Sequence, residues 1–199
     1  MPFRRVRFSK ERHGTESGES LFVIMLHSHE TEWFALMVKP HFEKAASSLI
    51  TQKGYETYLP VIASQRKWSD RTKIIDLPLF PRYLFARFAP DEQVQILRTA
   101  GVQKIVGFAS RPTAIPVSEI ESLRTLTNSG IPPQECDYLP GGHKVVVCKG
   151  PLSGMVGALV RTKTNCRVVV SIQLLQRSVY VEVDRADISP LTDDHRNVA

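Results

Sequence analysis

The sequence predicts an α+β chain with two folded regions, and three observations carry that prediction. Between residues 31 and 127, apolar strand-like runs take turns with helical apolar stripes, the pattern of a mixed domain on one core. Residues 128–139 carry Gly130, Pro132 and Pro133 with little apolar pattern, and read as a linker that Pro140 closes. Residues 140–191 then hold short β-branched runs and no helical stripe, as expected of a small β-barrel. A disordered arm at 1–30 and a tail at 192–199 complete the division.

Taken in order, the arm opens on Arg4, Arg5, Arg7, Lys10 and Arg12 and shows no periodicity. Regular signals begin with a strand over 33–39, rich in large apolar residues and closed by Pro40. Phe42, Ala45, Ala46, Leu49 and Ile50 fall at helical spacing and predict an apolar stripe, with Gly54 as its stop. An extended segment over 55–64, a polar hairpin tip over 65–73 and a returning strand over 74–79 follow. Residues 83–88 form the next strand, with Pro78 and Pro81 stiffening its approach. Asp91 is placed to cap a short helix carrying Val94 and Leu97, and 102–108 reads as another strand. Ser118 and Glu121 have capping-box spacing ahead of Ile120, Leu123 and Leu126, which predicts a third helix to about Thr127. In the second region, 144–148, 155–161, 167–172 and 178–183 are four strands, with turns at Gly150 and Pro151 and at Thr164 and Asn165.

The 83–88 strand is unusual because both of its faces are apolar or aromatic. Alternation puts Leu84, Ala86 and Phe88 on one face, read as core, and Tyr83, Phe85 and Arg87 on the other. Two aromatics and a cation suit a protein-binding surface; the same pattern also suits a strand held between two layers.

Composition narrows the function. A net charge of +6 permits a polyanionic or acidic partner, but no block of the chain concentrates it. Cys136, Cys148 and Cys166 form no CxxC pair, so neither a disulfide framework nor a zinc site is expected and a reducing cytoplasm is. The apolar run at 21–26 is too short for a membrane span and lacks an adjoining basic flank, so export is not expected either. His41, His143 and His195 stand apart, with no Ser-centred Gly elbow and no phosphate-cradling Gly loop, so no catalysis, metal or cofactor is expected.

Two ordered sets of residues resemble the NusG family of transcription elongation factors. Trp33 to Leu36, Pro78 to Phe85, and Gly101, Val102, Val106, Gly107 and Phe108 resemble the family's N-terminal domain. Gly142 to Val147, with Gly150 to Gly157, resembles its KOW motif. Pro78 to Pro81 and the hairpin Lys67 to Arg71 are most similar to specialised paralogues of RfaH or UpxY type, and Arg82 stands where many members have glycine. The resemblance implies an N-terminal antiparallel sheet flanked by helices, and a C-terminal SH3-like barrel. It implies a cytoplasmic factor, expected as a monomer, that binds the clamp helices of RNA polymerase, reduces pausing and modulates termination.

Carried over by motif, Trp33, Phe80, Pro81, Tyr83 and Phe85 are the expected polymerase-binding residues. Arg66, Lys67, Trp68, Arg71 and Lys73 mix cations with an aromatic, suited to phosphates and exposed bases, and the resemblance places upstream or non-template DNA nearby. A solvated turn would have the same composition. Leu152 and Met155 occupy the loop through which the resemblance implies recruitment of a small-subunit ribosomal protein or Rho; ordinary barrel packing would use them equally well. Some relatives store this region as a helical hairpin, but the runs 145–147, 168–170 and 179–183 are β-branched and predict a barrel. The competing reading, a KOW-containing RNA-binding or ribosome-associated protein, requires clustered cations. Lys144, Lys149, Arg161, Lys163, Arg167 and Arg177 are spread along the chain instead.

Overall fold

The structure is a computed structural model that describes residues 30–67, 72–108, 111–138, 141–161 and 166–191, with the side chains at 65–67, 72–73 and 161 left aside. The chain divides into Met1–Glu30 and Thr31–Ala199, and every element below belongs to the second unit.

The elements run β1 (Glu32–Val38), α1 (Glu43–Gln52), β2 (Glu56–Tyr58), β3 (Val61–Lys67), β4 (Thr72–Pro78), β5 (Tyr83–Phe88) and α2 (Gln93–Leu97). They continue with β6 (Val102–Ile105), β7 (Gly107–Phe108), β8 (Arg111–Pro112), β9 (Ala114–Ile115) and α3 (Val117–Asn128). The C-terminal strands are β10 (Gln134–Cys136), β11 (His143–Val147), β12 (Val156–Arg161), β13 (Cys166–Ile172), β14 (Arg177–Val183) and β15 (Ile188–Pro190).

The first sheet has the order β2-β5-β1-β6, with β9 also against β1, and all its pairs are antiparallel. The central register sets Phe34 opposite Ala86, Ala35 opposite Phe85 and Leu36 opposite Leu84, so each face collects its residues from both strands. Phe34, Leu36, Val38, Leu84, Ala86 and Phe88 form one buried cluster with Ala46 and Ile50 of α1 and Ile96 of α2. Phe34 and Phe88 lie 4.6 Å apart between ring centres. Full burial of a side chain such as Phe88 contributes roughly 1.5–3 kcal/mol. This is the core face the alternation predicts.

The helices differ from the predicted stripes in detail. On α1 the buried positions are Glu43, Ala46 and Ile50, whereas Phe42 and Leu49 are exposed. Phe42 lies one residue before the helix, so its angular position does not follow the helical repeat. Gly54 supplies the stop at φ 93°, a left-handed conformation that suits glycine. On α2 the inward residue is Ile96, and Val94 and Leu97 face out. Helix α3 forms where the apolar spacing puts it, but Pro116 is its N-cap residue with no side-chain cap bond, and Ser118 sits inside the first turn.

The β3–β4 hairpin pairs from Val61 and Pro78 out to Lys67 and Thr72, so its strands reach further into the 65–73 segment than the polar composition predicts. The C-terminal sheet is antiparallel with the order β10-β14-β13-β12-β11-β15. Its four central strands are those the β-branched runs predict. The two edge strands are not: β10 arises inside the segment read as linker, and β15 ends on Pro190. Edge strands with polar residues or proline lack the alternation that reveals a half-buried strand.

Candidate functional site

The second face of the first sheet carries Trp33 and Ala35 from β1 and Phe85 from β5, joined by Leu79, Phe80 and Ile115. Phe80 meets Phe85 edge-on at 6.4 Å, and Tyr58 stacks on Phe85 at 6.1 Å between ring centres. Helix α3 lies over this aromatic group. Its Ile120 and Leu123 are fully buried in the same cluster, and the Arg124 guanidinium sits 5.1 Å from the Trp33 ring centre and 5.2 Å from that of Tyr58. The guanidinium is held by Glu56 at 2.7 Å and Glu121 at 3.5 Å. The Tyr58 hydroxyl shares a 3.1 Å hydrogen bond with the Thr127 hydroxyl, and burial pushes its pKa up to about 12.

The opposite side of α3 meets the C-terminal sheet. At 100° per residue, Ser118, Ser122 and Glu119 span an arc of about 100° that also holds the buried Leu126 and borders on Leu123, away from Arg124. The Val156 N–H donates to Ser122 Oγ at 3.2 Å, and the Gln173 N–H donates to Glu119 Oε2 at 3.3 Å. Burial raises the pKa of Glu119, opposed by that backbone hydrogen bond and by Lys144. A cavity of about 180 Å³ opens here, with Ser118, Glu119, Ser122, Lys144 and Gln173 among its lining residues. The turn Gly150–Leu152 also rests against α3, and Leu152 and Met155 are buried in the cluster that contains Phe80 and Phe85.

The structure therefore brings together two sets of residues that the sequence kept apart. Trp33, Phe80 and Phe85 are buried at 2%, 4% and 0% exposure, Tyr83 is half-buried, and only Pro81 among the five expected polymerase contacts is exposed. The second face of β5 is held between two layers, which is one of the two readings its pattern allowed. Leu152 and Met155 likewise point inward. Of the expected DNA contacts, Trp68 and Arg71 lie outside the described residues. Arg66, Lys67 and Lys73 are placed by backbone alone, with Arg66 opposite Lys73 in the β3–β4 ladder.

Sequence reasoning missed the polar side of α3. The available signal was the two serines flanking Glu119 on one helical side, small hydroxyl residues that suit close approach to another backbone. It also left Arg82 without a role. Arg82 adopts φ 70°, its N–H donates to the buried Glu43 carboxylate at 2.8 Å, and its guanidinium donates to Gln103 Oε1 at 3.0 Å. The first bond supplies the partner a buried carboxylate requires.

Residues 31–124 match the family model described as "Transcription termination factor nusG". Among solved structures, one described as "Domain interaction in Thermotoga maritima NusG" is 14% identical, covering 82% of this chain and 98% of that one at a TM-score of 0.45. Two conformations of the MjSpt4:Spt5 complex, B and A, are 17% and 15% identical, each covering 80% of this chain, with 97% and 98% of theirs, at TM-scores of 0.29 and 0.30. Residues 31–124, which contain the whole aromatic face of β1 and β5, therefore form a domain of the NusG family.

Proposed function

We propose that this protein is a transcription elongation factor that binds the clamp helices of RNA polymerase through the aromatic face of its first sheet. The observation that carries this reading is the concentration of Trp33, Phe80, Tyr83 and Phe85 on one side of a NusG-family domain. The role is one of binding, not bond chemistry. A factor that prefers the closed clamp shifts the polymerase toward that state, which depopulates paused complexes and modulates termination. The β3–β4 hairpin contributes Arg66, Lys67, Trp68, Arg71 and Lys73 toward upstream or non-template DNA. The C-terminal sheet acts as a KOW domain that recruits a small-subunit ribosomal protein or Rho through Leu152 and Met155.

Burial adds a condition to this reading. Trp33, Phe80 and Phe85 become available to an outside helix only when the layer over them moves, so the arrangement described here is a closed form. Pro81 and the half-buried Tyr83 mark the rim where contact starts. Truncating the buried Phe85 costs about 3–5 kcal/mol of stability and confounds any binding assay. Tyr83→Ala is the cleaner probe. Full-length protein is expected to co-migrate with purified RNA polymerase and to shorten pauses in a single-round elongation assay. Tyr83→Ala is expected to weaken both with its thermal unfolding little changed. Wild-type co-migration and pausing by this variant would refute the assignment.

A further inference from the structure

We propose that the cavity between α3 and the C-terminal sheet is a binding site for a free α-amino acid with a small apolar side chain. The register of the sheet lays its floor: Lys144 lies opposite Ala158, and Ala158 opposite Val169, so the three form one row across β11, β12 and β13. Alternation turns this row away from the sheet's own core, to which their chain neighbours Val145 and Val168 belong. Helix α3 supplies the facing wall through Ser118, Glu119 and Ser122. Gly142 stands at the rim, where an added Cβ would come within 3.1 Å of the Ala158 Cβ, so the glycine keeps the floor accessible. The volume of about 180 Å³ equals the share of roughly six waters at ~30 Å³ each, which suits a molecule of amino-acid size and excludes a nucleotide.

The two walls carry opposite charges. Glu119 stands on the helix side and Lys144 on the sheet side, and both line the cavity. Burial disfavours the charged carboxylate of Glu119, and Lys144 offsets this only in part, so the two groups act on each other across the space. They form no ion pair among the described residues. A zwitterion fits that gap, because its ammonium group can donate to Glu119 while its carboxylate accepts from Lys144. The Ser118 and Tyr138 hydroxyls make no side-chain hydrogen bond among the described residues and are available to the same polar atoms. Ala158 and Val169 offer a shallow apolar surface for the side chain. Other ligand classes match less well. A polyanion would meet a carboxylate beside a single lysine, a metal ion would meet an ammonium group beside a single carboxylate, and a hydrocarbon would satisfy neither charge. Since α3 and the sheet each hold one end of the ligand, binding requires them together and stabilises their contact by mass action. The consequence for polymerase rests on the function proposed above, whereas the site is tested on the chain alone.

The test uses the isotopically labelled full-length chain, with L-alanine, L-valine and L-leucine as probes. The matching amines without the carboxylate and the matching acids without the amino group serve as controls. At least one amino acid is expected to shift the amide signals of Val156 and Gln173 and to raise the unfolding temperature. Its amine and acid analogues are each expected to bind about tenfold more weakly, the loss of one charge-assisted contact. Lys144→Met, at an exposed position, is expected to remove the advantage of the amino acid over its amine while keeping that over its acid. Glu119→Gln, which retains an oxygen to accept from the Gln173 N–H, is expected to do the reverse. Ser118→Leu, also at an exposed position, is expected to block the cavity and abolish the shifts with the unfolding temperature unchanged. The proposal is overturned if none of the three amino acids shifts these amides, if an amine or acid analogue binds as tightly, or if Lys144→Met leaves the affinity unchanged. An amino acid that binds with these preferences but leaves co-migration with polymerase unchanged counts against the closed form as a bar to polymerase, and not against the site.

Discussion

The two sides of α3 make unlike contacts. Toward the first sheet it offers Ile120 and Leu123, both fully buried, together with an arginine clamped between carboxylates and aromatic rings. Toward the C-terminal sheet it offers Ser118, Glu119 and Ser122, with two single hydrogen bonds to backbone N–H groups beside a cavity of about 180 Å³, next to an apolar seam in which Leu152 and Met155 join the cluster of Ile120 and Leu123. Apolar burial with aromatic contact is cooperative and hard to undo, whereas polar contacts beside a cavity exchange readily for water. The polar part of the contact to the C-terminal sheet is thus expected to open more readily than the contact of the helix with its own sheet.

The largest expected effect breaks the first contact. Phe85→Ala, at a position with no exposure, is expected to cost about 3–5 kcal/mol and to lower the thermal midpoint of the whole unit, read by calorimetry. Ser122→Ala addresses the second contact. It leaves the Val156 N–H without its partner, at about 1–3 kcal/mol if water does not replace the hydroxyl and near zero if water does. Denaturant unfolding separates the two outcomes, and the smaller value confirms a contact open to solvent.

Acidity sharpens the same comparison. Burial raises the Glu119 pKa above its unfolded value, so the closed form binds the proton more readily than the unfolded chain does. The sign follows: this contribution to stability is present below the ordinary carboxylate range and is lost as pH rises through the raised value. Glu119→Gln imitates the protonated acid and is expected to flatten that part of the pH profile of the unfolding temperature. At the small end, Asp76→Asn removes a 4.0 Å pair with Lys44 in which both side chains are more than half exposed. It is expected to change stability by less than about 0.5 kcal/mol.

Much of this could be read from residues alone, for physical reasons that differ by element. The strand faces at 83–88 follow from strict alternation, and the register reproduces them. The helices follow from their apolar residues, but on α2 it is Ile96, and not Val94 or Leu97, that faces the core. Strand β10 was lost because Gln134, Glu135 and Cys136 carry no alternation and gain their order only by pairing with β14. The concealment of Trp33, Phe80 and Phe85 depends on contacts between residues 31–115 and the cluster of α3 and the C-terminal sheet. No local pattern encodes such a long-range meeting. A binding face and a buried face share the same composition, and only the neighbour in space distinguishes them.

The most direct test of the separable contact is hydrogen exchange on the full-length chain, following the amides of Val156 and Gln173 against those of Ala35 and Phe85. The account predicts that the first pair exchanges through a low-energy opening that Ser122→Ala makes more frequent. The second pair should keep the protection of the sheet core in both proteins. Exchange of all four amides at one common rate, shifted together by the substitution, would contradict it.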